Sequence, residues 1–140
     1  MNLLYTTSAT ATGGRTGRAS VDDGTLSLPL VTPRELGGPG GEGTNPEQLF
    51  ACGYAACFLS ALRFVAGRRK LTLADDVEVQ AVVGIGSRAD GGGFGLQVGL
   101  TVTIPGMNQE TATELVDEAH IVCPYSHLAR EGIAVRLTIA

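Results

Sequence analysis

Tryptophan is absent, aromatic residues make up 5% of the chain and charged residues only 17%. With 20 glycines and a hydrophobic fraction of 44%, this excludes a disordered chain and points instead to many tight turns around a lean core. An excess of positive charge is missing too: 10 Lys and Arg stand against 14 Asp and Glu, a net charge of -4. The one basic run, Arg68, Arg69 and Lys70, is too short to bind phosphates, so neither nucleic acid nor an anionic membrane surface is expected as a partner. The opening MNLLYTTSATATGG lacks the charged start, apolar run and cleavage site of a secretory signal, and a cytoplasmic protein is expected. The chain has only 3 cysteines and no CxxC pair. That is no disulfide scaffold; in a reducing compartment such thiols are structural, metal-binding or catalytic.

No repeat or linker divides the chain, so a single domain over residues 1–140 is expected. Leu3 to Thr12 reads as a strand, and Arg18 to Val21 joins Thr25 to Val31 through the turn Asp22-Asp23-Gly24. After a glycine-rich loop a helix opens with Thr44 and Glu47 as a capping box, or with Asn45 as cap and Pro46 in the first turn. It should run to about Ala66, with Gly67 as its C-cap. Leu49 to Leu62 carries no charge on any face, the pattern of a helix enclosed by protein, and its length falls short of a membrane span. Val77 to Ile85 and Phe94 to Ile104 should form a long hairpin around Asp90-Gly91-Gly92-Gly93. A second, amphipathic helix spans Gln109 to Val122 and stops at Pro124; Ser126 to Arg130 adds a helical turn, and Ile133 to Ile139 a last strand. The fold class is α+β. One small sheet does not cover an all-apolar helix, so two chains are expected to intertwine around a shared core.

Cys57 lies deep in the apolar helix. Burial of that kind makes a thiol inert, and holding it as thiolate near neutral pH takes about 2 kcal/mol from a nearby cation. Arg63 projects about 120° away and roughly 9 Å up the axis, so the cation has to come from elsewhere. Packing and nucleophilic roles both stay open on pattern alone. Cys123, at the negative end of its helix, fits either a packing residue or a thiol that attacks an already oxidised partner. Cys52 stands about 140° around the helix from Cys57 and is read as packing, since no disulfide closes across that separation. His120, Cys123 and His127 lack the further ligands a zinc site needs. Gly38-Pro39-Gly40-Gly41-Glu42-Gly43 matches GxGxxG only formally, with a proline inside it and no strand leading in.

Taken in order, TATGGR at 10–15, GGPGG at 37–41, TNPEQLFACGYAACF at 44–58, GGFGL at 92–96 and DEAHIVCPYS at 117–126 resemble the organic hydroperoxide resistance proteins, the Ohr branch of the Ohr/OsmC family. The resemblance covers nearly the whole chain. It implies an intertwined homodimer, with antiparallel sheets wrapped around central buried helices, that works as a cysteine-based peroxidase on alkyl or fatty-acid hydroperoxides. By motif, Cys57 in YAACF resembles the peroxidatic cysteine, Cys123 in VCPYS the resolving one, Arg15 in GGR the arginine that holds the thiolate, and Glu47 in NPE the carboxylate that orients it. The implied reductant is a dihydrolipoyl dithiol, on a lipoylated protein or as dihydrolipoamide, with no cofactor and no metal. Along one helix Glu47 and Cys57 are about 15 Å apart, which favours Arg15 and Glu47 acting on the Cys57 of a partner subunit. Tyr54, Phe58 and Leu59 are expected to meet the organic tail. Three positions depart from the family pattern: Thr16 in place of an acid, Cys52 in place of a small residue, and His127-Leu128 after CPYS. The remaining alternatives are an OsmC-type peroxidase and a noncatalytic dimer that binds apolar ligands.

Overall fold

Three short strands, β1 (Ala9–Thr12), β2 (Arg18–Val21) and β3 (Ser27–Pro29), form an antiparallel sheet in the order β1-β2-β3. They belong to the first of two units, Met1–Leu49 and Phe50–Ala140, of a computed structural model that describes residues 1–139. The turn at Asp22-Asp23-Gly24 forms as expected: the Gly24 amide donates to the Val21 carbonyl at 3.0 Å and the Thr25 amide to Asp23 Oδ1 at 2.9 Å. The strand expected from Leu3 shrinks to its last residues, and Leu3, Leu4 and Tyr5 are exposed. A strand needs a neighbour, and apolar alternation alone does not supply one. Beyond β3, Leu30 bridges to Thr44 and is the one buried apolar residue described in this unit.

Helix α1 covers Pro46–Arg68. Of the two expected start signals the asparagine forms: Asn45 Oδ1 accepts the Gln48 amide at 2.9 Å, with Pro46 at the first helical position. The Thr44–Glu47 capping box does not, because the Thr44 hydroxyl bonds Gln48 Oε1 at 3.0 Å and the Glu47 carboxylate is taken by Arg15. The far end also differs from expectation. Gly67 stays in the last turn, and Lys70 takes the left-handed conformation at φ 57°. The Leu71 amide then reaches the Ala66 carbonyl at 2.9 Å and the Lys70 amide the Gly67 carbonyl at 3.0 Å, a Schellman closure with lysine in glycine's usual place. At 23 residues α1 is long and apolar enough to satisfy a membrane-span criterion, so its length does not exclude one. Its role within the second unit is that of a core helix.

That core is Tyr54, Phe58, Leu62, Val65 and Ala66 from α1, with Val77, Leu115, Ala119 and Cys123. Only one side of α1 is enclosed by the chain itself. Cys52, Ala56 and Ser60, one turn apart on the other side, are exposed.

Strands β4 (Glu78–Ser87) and β5 (Phe94–Thr103) pair along their full length from Glu78↔Thr103 to Ser87↔Phe94. Alternation puts Val79, Val98, Leu100 and Val102 against the core. Helix α2 spans Gln109–Val122 as expected, capped by Asn108 Oδ1 on the Thr111 amide at 2.9 Å. Leu115, Ala119 and Cys123 of its apolar stripe are fully buried, whereas Val122 is exposed. The turn expected around Ser126 extends to a helix, α3 (Pro124–Glu131), because Pro124 starts it as well as ending α2. The last strand expected over Ile133 to Ile139 does not form: Ile133, Val135, Leu137 and Ile139 are 63–100% exposed, with no paired neighbour in the described chain.

Candidate active site

The four expected site residues fall into two pairs, each within one unit. Arg15 sits in a single 3-10 turn, Gly14–Thr16, that links β1 to β2. The turn closes because the backbone folds almost onto itself: a Cβ at Gly17 would lie 1.7 Å from the Thr12 carbonyl oxygen, and Gly13 is left-handed at φ 70°. The Thr16 hydroxyl donates to the Gly13 carbonyl at 3.1 Å, so the residue that departs from the family pattern fastens the turn. From there the guanidinium forks onto Glu47, Nη1 to Oε2 at 2.8 Å and Nη2 to Oε1 at 2.5 Å. This bidentate geometry fixes direction as well as charge. The Glu47 side chain is 14% exposed and that of Arg15 34%. The Arg15 hydrogen bond holds the Glu47 carboxyl below the usual carboxylate range, against the effect of burial.

The second pair is Cys57 and Cys123. Residues 66 apart in sequence meet with their sulfurs 3.6 Å apart, the Cys123 thiol donating to Cys57. Cys123 is fully buried and Cys57 partly so. Cys123 closes α2 and opens α3 at once: its amide donates to the Ala119 carbonyl at 2.8 Å, and its carbonyl accepts the His127 amide at 2.9 Å. Burial pushes the Cys57 thiol up from its ordinary value; the Tyr125 amide, at the start of α3, acts downward, and the neighbouring Cys123 upward. All three influences come from within the second unit, and the net direction is toward the neutral thiol.

Around this pair Phe50, Tyr54 and Tyr125 form an aromatic cluster. Phe50 stacks on Tyr125 at 5.7 Å between centroids and meets Tyr54 edge-on at 5.8 Å. Tyr125 lies across Gly53, where a Cβ would come 3.0 Å from its hydroxyl oxygen. A domain-family model described as OsmC-like protein matches residues 38–138. The organic hydroperoxide resistance protein of Xanthomonas axonopodis pv. citri is 55% identical over 138 residues, 99% of this chain and 96% of that one.

The chain belongs to the organic hydroperoxide resistance proteins of the OsmC-like family.

Solved structures of the family agree with its fold. The organic hydroperoxide resistance protein from Legionella pneumophila superposes with a TM-score of 0.87 at 51% identity, covering 94% of this chain and 93% of that one. OhrB of Bacillus subtilis gives 0.84 at 43% identity, covering 92% and 93%.

Within this Ohr protein one reading of the sequence needs correction. Tyr54 and Phe58, expected to meet substrate, are 3% and 1% exposed and belong to the core; the half-buried aromatics beside the cysteines are Phe50 and Tyr125. His120, Cys123 and His127 do not converge: Cys123 turns to Cys57, His127 is exposed, and no group of three or more His, Cys, Asp or Glu gathers among the described residues. One contact was missed from sequence. Tyr54 and Ser126, three residues before Cys57 and three after Cys123, share a buried hydrogen bond of 2.9 Å. Its signal in the sequence is only that both flank a cysteine at the same spacing.

Proposed function

We propose that the chain is a thiol-dependent peroxidase that reduces organic hydroperoxides to alcohols. The observation that carries this reading is the 3.6 Å separation of the Cys57 and Cys123 sulfurs, close enough for a disulfide to close with a small movement. The Cys57 thiolate attacks one peroxide oxygen; the sulfur–oxygen bond forms, the oxygen–oxygen bond breaks, and the departing alkoxide takes a proton to leave as alcohol. Cys57 is now a sulfenic acid. Cys123 displaces its oxygen as water and closes a disulfide, which a dihydrolipoyl dithiol resets by exchange, becoming a cyclic disulfide itself. Because burial disfavours the Cys57 thiolate, a fixed cation has to offset it. Arg15, aimed by Glu47, is that cation in this reading, and it also neutralises charge as the oxygen–oxygen bond breaks.

The working form is a homodimer, each chain one domain, in the cytoplasm. Leu3, Leu4 and Tyr5 at one end and Ile133, Val135, Leu137 and Ile139 at the other are bare apolar segments, and they fit strands completed by a second copy. In that assembly Arg15 and Glu47 serve the Cys57 of the partner subunit. Heterodimers mixed from Cys57→Ser and Arg15→Ala chains then recover activity, because one of their two sites is intact; no recovery places all the groups on one chain.

The decisive measurement adds tert-butyl hydroperoxide to reduced protein and follows thiol count and intact mass. Loss of two thiols per chain at about one equivalent, with a Cys57–Cys123 linked peptide, is expected. Thiols that persist identify an apolar-ligand binder whose cysteines only pack. Turnover with dihydrolipoamide but not with glutathione supports the assigned reductant.

A further inference from the structure

Ser126 is the only buried polar residue among those described, at 0% exposure, and it bonds a tyrosine that is itself 3% exposed. Removing two hydroxyls from water into an apolar core is repaid only when they are paired, and an apolar pair of the same shape is often as stable. The pair therefore fixes position more than it adds stability. What it fixes follows from where it lies. Tyr54 is three residues before Cys57 on α1, and Ser126 three residues after Cys123 on α3, so the hydrogen bond runs beside the sulfur–sulfur approach about one helical turn away. Cys123 is the extended junction between α2 and α3, at φ -64° and ψ 122°. The Cys123 carbonyl is bonded to the His127 amide, so a displacement of α3 that carries the Cys123 Cα with it moves the sulfur, and the tyrosine hydroxyl ties α3 to the helix that carries Cys57.

We propose that Tyr54 and Ser126 are positioning residues for the second chemical step, a strut that keeps Cys123 in line to attack the Cys57 sulfenic acid. The inference rests on the peroxidase reading above. Closing the disulfide brings sulfurs 3.6 Å apart to about 2.05 Å, with attack opposite the sulfur–oxygen bond. When Cys123 is out of line, the sulfenic acid survives long enough to meet a second hydroperoxide. Its sulfur then takes another oxygen, the peroxide bond breaks, a second alcohol leaves, and Cys57 ends as an irreversible sulfinic acid. The strut thus selects between a recyclable disulfide and a dead enzyme.

The test compares wild type, Tyr54→Phe, Ser126→Ala and the double variant, all full-length and reduced, with excess tert-butyl hydroperoxide. Single-turnover peroxide loss reports the first step, and intact mass reports disulfide against sulfinic acid. In each variant the first step is expected to stay within about twofold, while disulfide formation slows by about tenfold and sulfinic acid accumulates. The product ratio is counted only in chains that have reacted, so a poorly folding variant loses amplitude without moving the ratio. Tyr54→Phe leaves a buried hydroxyl unpaired; the double variant does not, and it should match Tyr54→Phe rather than wild type. A double variant that regains the wild-type ratio overturns the strut, since the singles would then suffer only from an orphaned hydroxyl. Unchanged ratios in all variants overturn it equally. A wild type that consumes no peroxide sinks the peroxidase reading itself, a result distinct from both.

Discussion

Arg15 rides on a glycine-pinched turn with a third of its side chain in solvent, while Cys123 is wholly buried at the junction of two helices and Cys57 lies against it on a third. The difference follows the chemistry of the two groups. A guanidinium stays charged at any working pH, so a small loop is enough to carry it, provided a carboxylate aims it. The reactivity of a thiol depends on its surroundings, and the orientation of an attacking sulfur matters to fractions of an ångström, so the sulfurs sit in the close-packed part. In the proposed cycle one pair contributes charge and the other contributes geometry.

Substituting the sulfurs one at a time tests that division most severely. Cys57→Ser should abolish peroxide consumption, a loss of at least about a thousandfold in rate. Cys123→Ser should keep the first turnover at near wild-type rate and stop at a sulfenic acid, trappable with dimedone. Rapid-mixing peroxide assays distinguish the two; equal loss in both would mean that the cysteines act as one unit in the first step.

Next in size is the arginine. Burial pushes the Cys57 thiol up; if Arg15 is the cation that opposes this, as proposed, Arg15→Ala leaves less thiolate near neutral pH. The second-order rate at pH 7 should fall about ten- to a hundredfold, and part of it should return as pH is raised. Arg15→Lys should recover only part, because an ammonium does not reproduce the fork onto both Glu47 oxygens. A pH–rate profile that drops without moving along the pH axis would remove thiolate stabilisation from the role of Arg15.

Glu47→Gln gives a smaller effect, about tenfold, since the charge remains and only its aim is lost. It carries a separate signature in stability. The Glu47 pKa is lowered in the folded chain, mainly by Arg15. The contribution is therefore complete above the ordinary carboxylate pKa of ~4.3 and disappears as pH falls through the lowered folded value. Wild type should lose stability over that acidic window, whereas Glu47→Gln, with nothing to protonate there, should be flatter. Denaturant midpoints measured from neutral pH down to about pH 3 check the sign.

Local signals were legible in the sequence where the physics is local. The apolar stripe and Pro124 give α2 the bounds it has, Gln109–Val122, and the glycine cluster at 91–93 marks the β4–β5 turn. Long-range contacts were not. Helical spacing left Cys57 readable as a packing residue, and its meeting with Cys123 came from resemblance rather than from any period in the chain. The Tyr54–Ser126 hydrogen bond spans 72 residues and has no composition of its own. Ile133 to Ile139 alternates like a strand yet remains unpaired in the described chain, because a strand is a relation between two segments and the sequence of one supplies half of it.

The smallest effect comes from the end of α1, where glycine was expected at the cap and a lysine holds the left-handed position. A side chain with a Cβ costs roughly 1 kcal/mol there, and Lys70 is exposed, so its removal sacrifices little packing. Lys70→Gly should therefore stabilise the chain, by at most about 0.5 kcal/mol after the added flexibility of the unfolded chain is subtracted, read as a rise of about one or two degrees in Tm at fixed protein concentration. The Schellman bonds from the Leu71 and Lys70 amides are backbone and survive the change. Because this cap is remote in kind from both charge and sulfur geometry, peroxide kinetics should not change. A rate that moved with it would show that the Cys57–Cys123 alignment depends on how the helix ends as well as on what packs beside it.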